Sequence, residues 1–209
     1  MAIMETSPPP TGGARSRNRR GQGERLRAEI VDAALALLDE LADDQALSMR
    51  AVARHVGIAA TSVYLHFADR DALVLAALER CQHDLLRAAE AAEDDAGDDP
   101  VARLRARTML QGTWAYEHAG LYKVLHESAV NRSSEIPFRR RLGDGTTLAV
   151  RRCMDAGRAP AGDAAEVALD LRSAVHGAVS LRLNIPDHPW PPLAEQVDRF
   201  LTRLVGVEL

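Results

Sequence analysis

The segment LSMRAVARHVGIAATSVYLHFADRDAL, residues 47–73, constrains this chain more than any other stretch. It reads as two short helices joined by a tight turn, with a longer helix starting directly behind them. Ser48 is a natural N-cap, its hydroxyl oxygen placed to accept from a free backbone N–H. Val52, Ala53 and Val56 recur at helical spacing and face a core. Gly57 follows, the residue type that enters a left-handed turn without steric cost. Ile58 and Val63 anchor the second helix, whose other face carries Thr61, Ser62, Tyr64 and His66. This is a helix-turn-helix with a hydroxyl-rich, neutral-to-basic outer face, a chemistry that suits base edges in the major groove and phosphates.

The 209 residues suffice for one small and one medium helical unit. A net charge of −4 argues against indiscriminate nucleic-acid binding, but says little about a local patch. Aromatic residues make up 4 % of the chain, so any core or pocket must lean on Leu, Val and Ala. Cys81 and Cys153 stand alone in helical patterns and read as buried free thiols without the ligands of a metal or redox site. No apolar run approaches the roughly 20 residues that span a membrane. With no apolar leader at the N-terminus, a cytoplasmic protein without membrane contact is expected. No Gly-rich phosphate loop, nucleophile elbow or paired-carboxylate spacing appears, so neither enzyme, metal nor cofactor is expected.

Three segments follow. Residues 1–23 hold a proline run, glycines and Arg15, Arg17, Arg19 and Arg20, a composition for a disordered basic arm. It either reaches DNA or only solubilises the chain. Residues 24–70 form the helix-turn-helix unit, with a first helix from about Arg25 to Leu41. Residues 71–209 form a larger helical unit without strands. Its helices are expected from Asp69 to Ala92, Val101 to His118, Leu121 to Val130, Phe138 to Ala156, Asp163 to Asn184 and Leu193 to Leu204. The acidic stretch Glu93–Pro100 between the first two is expected to be a loop.

The chain resembles the tetracycline-repressor family of bacterial transcription regulators. The resemblance rests on Ser48–Ala53, Val56-Gly57-Ile58, Val63-Tyr64-Leu65-His66-Phe67 and Asp69-Arg70-Asp71-Ala72-Leu73, and extends back through Ile30–Leu35. Two departures stand out. Leu41-Ala42-Asp43-Asp44 replaces the usual glycine ending the first helix, and Ala59-Ala60 replaces a serine and proline opening the recognition helix. The resemblance implies an all-α fold, with an N-terminal three-helix DNA-binding domain and a C-terminal ligand-binding and dimerisation domain. By the same token it implies a homodimer on a pseudo-palindromic double-stranded DNA operator, acting as a repressor that a small-molecule effector releases.

The expected DNA-contacting residues are Ser48, Arg50, Ala60, Thr61, Ser62, Tyr64, His66 and Arg70. An effector pocket is expected among Met109, Thr113, Trp114, Tyr122, Leu125, His126, Phe138 and His176, although most of these residues also read as plain core. Scarce lysine and aromatic residues favour a neutral or cationic, mainly apolar effector. For the dimer interface the small-residue and apolar stripes nominate Val167, Leu171, Ala174, Ala178, Val197, Phe200, Leu201 and Leu204. They serve equally well to close one subunit's core. The alternatives are a ligand-independent regulator or activator of the same fold, or a helical protein-interaction module.

Overall fold

The computed structural model describes residues 22–128, 130 and 138–209, with only the backbone for 138–142. The arginine-rich arm lies almost wholly outside this range. All regular structure in the described residues is helical: α1 (Gln22–Leu41), a 3-10 turn (Asp44–Ala46), α2 (Met49–Val56), α3 (Ala60–Tyr64), α4 (Arg70–Asp95), α5 (Pro100–Glu117), α6 (Ala119–Glu127), α7 (Phe138–Asp155), α8 (Ala164–Asn184) and α9 (Leu193–Phe200). No described helix is long and apolar enough to cross a membrane.

Side-chain caps set several helix starts. Ser48 accepts from the Ala51 N–H at 3.2 Å, Asp69 from Ala72 at 2.8 Å, Asp99 from Ala102 at 3.0 Å and Asp163 from Ala165 at 2.8 Å. Each such cap satisfies an orphan donor and contributes about 1 kcal/mol. The first helix ends without its usual glycine at a cost: Ala42 takes φ +51°, the left-handed region that Cβ disfavours.

Two cores organise the chain. The first joins α1, α2, α3 and the front of α4, around Ile30, Leu38, Val52, Val63, Phe67, Leu73 and Leu78. It also takes in Leu121, Val124 and Leu125 of α6, so it runs past the boundary expected at residue 70. The second core packs α5, α7, α8 and α9 around Leu104, Val150, Leu171, Val179 and Leu201. Trp114 touches both.

The acidic stretch after Ala92 departs from expectation. α4 continues to Asp95, and Glu93 is buried rather than looped into solvent. Its carboxylate accepts from Arg107 Nη1 of α5 and, at 3.3 Å, from Arg152 Nη1 of α7. Charge pairing inside the fold thus extends a helix that acidic composition alone would end. α9 also departs from a plain helix. It continues as a π turn over Leu201–Val205 and closes at Gly206, φ +77°. The wider turn brings Val205 inside and leaves Leu204 half exposed.

Candidate nucleic-acid interface and adjoining cleft

α3 is short because the turn before it gives it little help. Gly57, φ +80°, ends α2 with its N–H bonded to the Ala53 and Arg54 carbonyls. Ala59 then stands at the N-cap of α3 and has no side chain to cap it. Val63 and Phe67 fix this segment in the first core, and Arg27 lies over the Phe67 ring at 4.7 Å from its centroid. With those two buried, α3 leaves Thr61 and Tyr64 exposed and Ser62 partly so. Ser48, Arg50, Arg54 and His55 of the neighbouring α2 segment are also exposed.

Three expected contacts are placed differently. Ala60 packs against the first core instead of pointing outward. His66 lies beyond the end of α3, half buried in the turn, because the helix stops at Tyr64. Arg70 is engaged within the chain: Nη1 donates to the Asp44 carbonyl at 3.1 Å, and the rest of the guanidinium pairs with Asp71. It ties the start of α4 to the 3-10 turn. Sequence reasoning missed Leu65, 85 % exposed at the end of α3. A leucine inside the Tyr64–Phe67 pattern reads as core, yet no described residue covers this one.

Behind this unit, α4, α5, α6 and α8 enclose a cleft of about 230 Å³. Trp114, Tyr122, Leu125, His126 and His176 line it, as expected. The Tyr122 hydroxyl and His176 Nδ1 are 2.6 Å apart, and the His126 and His176 rings meet at a tilt of 50° with centroids 4.4 Å apart. Burial pushes the Tyr122 phenol well above its usual ionisation range, so it stays a neutral hydroxyl.

The expected lining needs correction at two positions. Thr113 is exposed and bonds to the Met109 and Leu110 carbonyls of its own helix. Met109 packs into the second core instead. Phe138 opens α7, and its side chain lies outside the described residues. Among the lining residues not expected from the sequence, the charged one is Arg172, on α8. One arginine in an arginine-rich chain carries no distinguishing sequence signal.

The dimer stripe also changes. Leu171, Ala178, Val197 and Leu201 are buried within the subunit, so they have no surface left to give a partner. Phe200 packs partly against the second core. Successive residues turn by roughly 100° on a helix, and α8 accordingly shows three faces. One is core, around Ala164, Ala168, Leu171 and Val175. Another borders the cleft at Leu169, Ser173 and His176. The third carries Val167, Ala174, Gly177 and Leu181, the last 51 % exposed, with open space where a Gly177 Cβ would stand.

Comparison with known proteins agrees with this architecture. Residues 30–77 match the family model for bacterial regulatory proteins of the tetR family, and residues 106–207 match that for the tetracyclin repressor-like C-terminal domain. A Mycobacterium tuberculosis HTH-type transcriptional regulator is 33 % identical over 118 residues, covering 54 % of this chain and 48 % of that protein. The chain spans between about a quarter and a half of the curated relatives it matches. A protein of unknown function from Rhodococcus sp. RHA1 superposes with a TM-score of 0.73 at 26 % identity, over 92 % of this chain and all of that one. RolR, solved in complex with resorcinol, superposes with a TM-score of 0.65 at 18 % identity, over 91 % of this chain and 92 % of that one. The fold and its exposed helix-turn-helix define a bacterial transcription regulator. The chain belongs to the tetracycline-repressor family.

Proposed function

We propose that the chain acts as a homodimeric repressor whose DNA affinity is lowered by a small molecule bound in the cleft between α4, α5, α6 and α8. Thr61, Ser62 and Tyr64 read and grip one half-site, with Ser48 and Arg50 on the flanking phosphates. Two-fold pairing through the Val167–Leu181 stripe, with Leu204 beside it, sets the spacing of the two α3 helices.

One observation carries the reading: α6 is bolted to the DNA-binding unit at both ends while its middle forms the cleft wall. At its start, the Leu121 N–H donates to Asp39 Oδ1 of α1 at 3.0 Å, and His118 Nδ1 pairs with Asp39 Oδ2 at 3.0 Å. Gly120 allows that approach, since a Cβ there would lie 1.8 Å from the Asp39 carbonyl oxygen. At its end, the Ser128 hydroxyl donates to buried Asp44 at 2.9 Å, and Asp44 in turn accepts from Arg70. Between the bolts, Tyr122, Leu125 and His126 face the cleft. A ligand that displaces this wall moves α1 and the start of α4, and with them α3. RolR, of the same fold, holds resorcinol, which supports a small effector for this chain.

The test is fluorescence anisotropy of labelled DNA from upstream of the chain's own gene, at fixed salt, with sedimentation alongside. The reading expects a dimer that prefers this DNA over a scrambled duplex. Thr61→Ala should alter preference at one base position by about 1–3 kcal/mol. Tyr64→Ala should weaken both duplexes alike. Equal affinity for the two duplexes, or a monomer that binds as tightly, overturns it.

A further inference from the structure

The cleft's charge is one-sided. Its described lining holds one permanent cation, Arg172, two histidines, and the neutral polar groups of Gln111, Ser173 and Tyr122, but no carboxylate. The rest is apolar, chiefly Leu85, Trp114, Leu125 and Val179. Arg172 stands apart from the arginines that bridge elements in this part of the fold. Arg105, Arg107, Arg152, Arg158 and Arg182 each close a hydrogen bond on a carboxylate or amide oxygen. Among the described residues Arg172 has neither a hydrogen bond nor a carboxylate within ion-pair range.

Its guanidinium is nonetheless held in place. α7 gives up a side chain to admit it, since a Cβ at Gly143 would stand 2.5 Å from Arg172 Nη1. Burial lowers its proton affinity from the usual arginine range, and the field of Asp144 only partly offsets this. A partly desolvated cation with no hydrogen bond among the described residues gains most from an anion that fits its planar fork. Size narrows the class further. An apolar cavity of about 150 Å³ accepts benzene, and this cleft of about 230 Å³ leaves room for one ring with a small substituent.

We propose that the cleft binds a small aromatic carboxylate, its carboxylate on the Arg172 guanidinium and its ring among Leu85, Trp114, Leu125 and Val179. This rests on the reading of the cleft as the effector site and names the ligand class. It reverses the neutral or cationic ligand expected from composition. The Tyr122–His176 pair, one turn of α8 along from Arg172, supplies a place for a ring hydroxyl, so a hydroxybenzoate should bind more tightly than benzoate.

The experiment is calorimetric titration of the full chain with benzoate, 4-hydroxybenzoate and the neutral isostere benzamide, with Trp114 fluorescence as a second signal. Both acids should bind the parent at least tenfold more tightly than benzamide. Arg172→Met should remove that preference and leave benzamide unchanged, and Arg172→Lys should restore part of it. Circular dichroism checks that each variant keeps its helix content. Should either variant misfold, the parent's acid-over-amide ratio decides alone. Equal binding of benzoate and benzamide, binding of neither, or a preference that survives in folded Arg172→Met overturns the proposal. Acid binding that leaves DNA affinity unchanged would instead overturn the effector-site reading while the carboxylate site stands.

Discussion

Replacing Glu93 by glutamine tests how the end of α4 is held. The side chain keeps its shape but loses the charge facing Arg107, Arg152 and, at 3.7 Å, Arg103. Arg107 is 2 % exposed, and its Nε and Nη2 find no hydrogen-bond partner among the described residues. A Cβ at Gly145 would lie 1.9 Å from Nη2, so α7 is shaped around this guanidinium. Removing one partner of a buried pair leaves the other charge uncompensated, a loss of about 3–5 kcal/mol. For a chain of this length that lowers the melting temperature by roughly 6–20 °C. Urea unfolding and calorimetry at one fixed protein concentration should show it, the fixed concentration being needed if the chain dimerises. Arg152→Ala, which removes the most exposed of the three partners, should cost less than about 1 kcal/mol. The double variant Glu93→Met with Arg107→Met should regain most of the loss, because neither charge then remains buried. A Glu93→Gln protein within 1 kcal/mol of the parent would refute the argument that this cluster holds α4.

Two further predictions concern stability. Ala42→Gly relieves a left-handed alanine that costs about 1–2 kcal/mol against about 0.4–1 kcal/mol of added unfolded-state freedom; a gain of up to roughly 1.6 kcal/mol should appear in the urea midpoint, and a clear loss would contradict the strain. Burial, with Asp84 and Asp39 adding to it, pushes the Cys81 thiol up to about 12, and burial pushes Cys153 up to about 11, both from an ordinary 9.0. Both folded-state values are raised, so this stability is complete below about pH 9 and is lost as pH rises through 11 to 12. The urea midpoint should therefore fall above pH 9, and less steeply in Cys81→Ala; an identical decline in that variant would remove the thiol from the account.

The helix-turn-helix was legible because every requirement there is local. Ser48, Gly57 and Val63 each declare a cap, a turn and a core contact within a few residues. The same locality fails at Glu93, whose partners Arg107 and Arg152 come from α5 and α7. Composition alone made it a loop residue. Helical periodicity located apolar stripes on α8 and α9 but could not say which partner covers them. Leu171, Val197 and Leu201 turned inward, and Leu181 outward. Trp114, Tyr122 and His176 could be gathered into one cleft because rings with a polar edge stand out in an aromatic-poor chain. Arg172 could not, since its significance lies in the partners it lacks among the described residues.

If α6 couples the cleft to the DNA-reading face, filling the cleft from α8 must change DNA binding. Ser173 lines the cleft and Thr113 does not, so Ser173→Trp and Thr113→Trp form a matched pair. The measurement is anisotropy of the upstream duplex with each variant, at one salt concentration, on protein shown by sedimentation to keep the parent's assembly. Ser173→Trp should lower DNA affinity at least tenfold, and Thr113→Trp should leave it unchanged. Parent-like affinity in Ser173→Trp, or equal losses in both, would contradict the coupling.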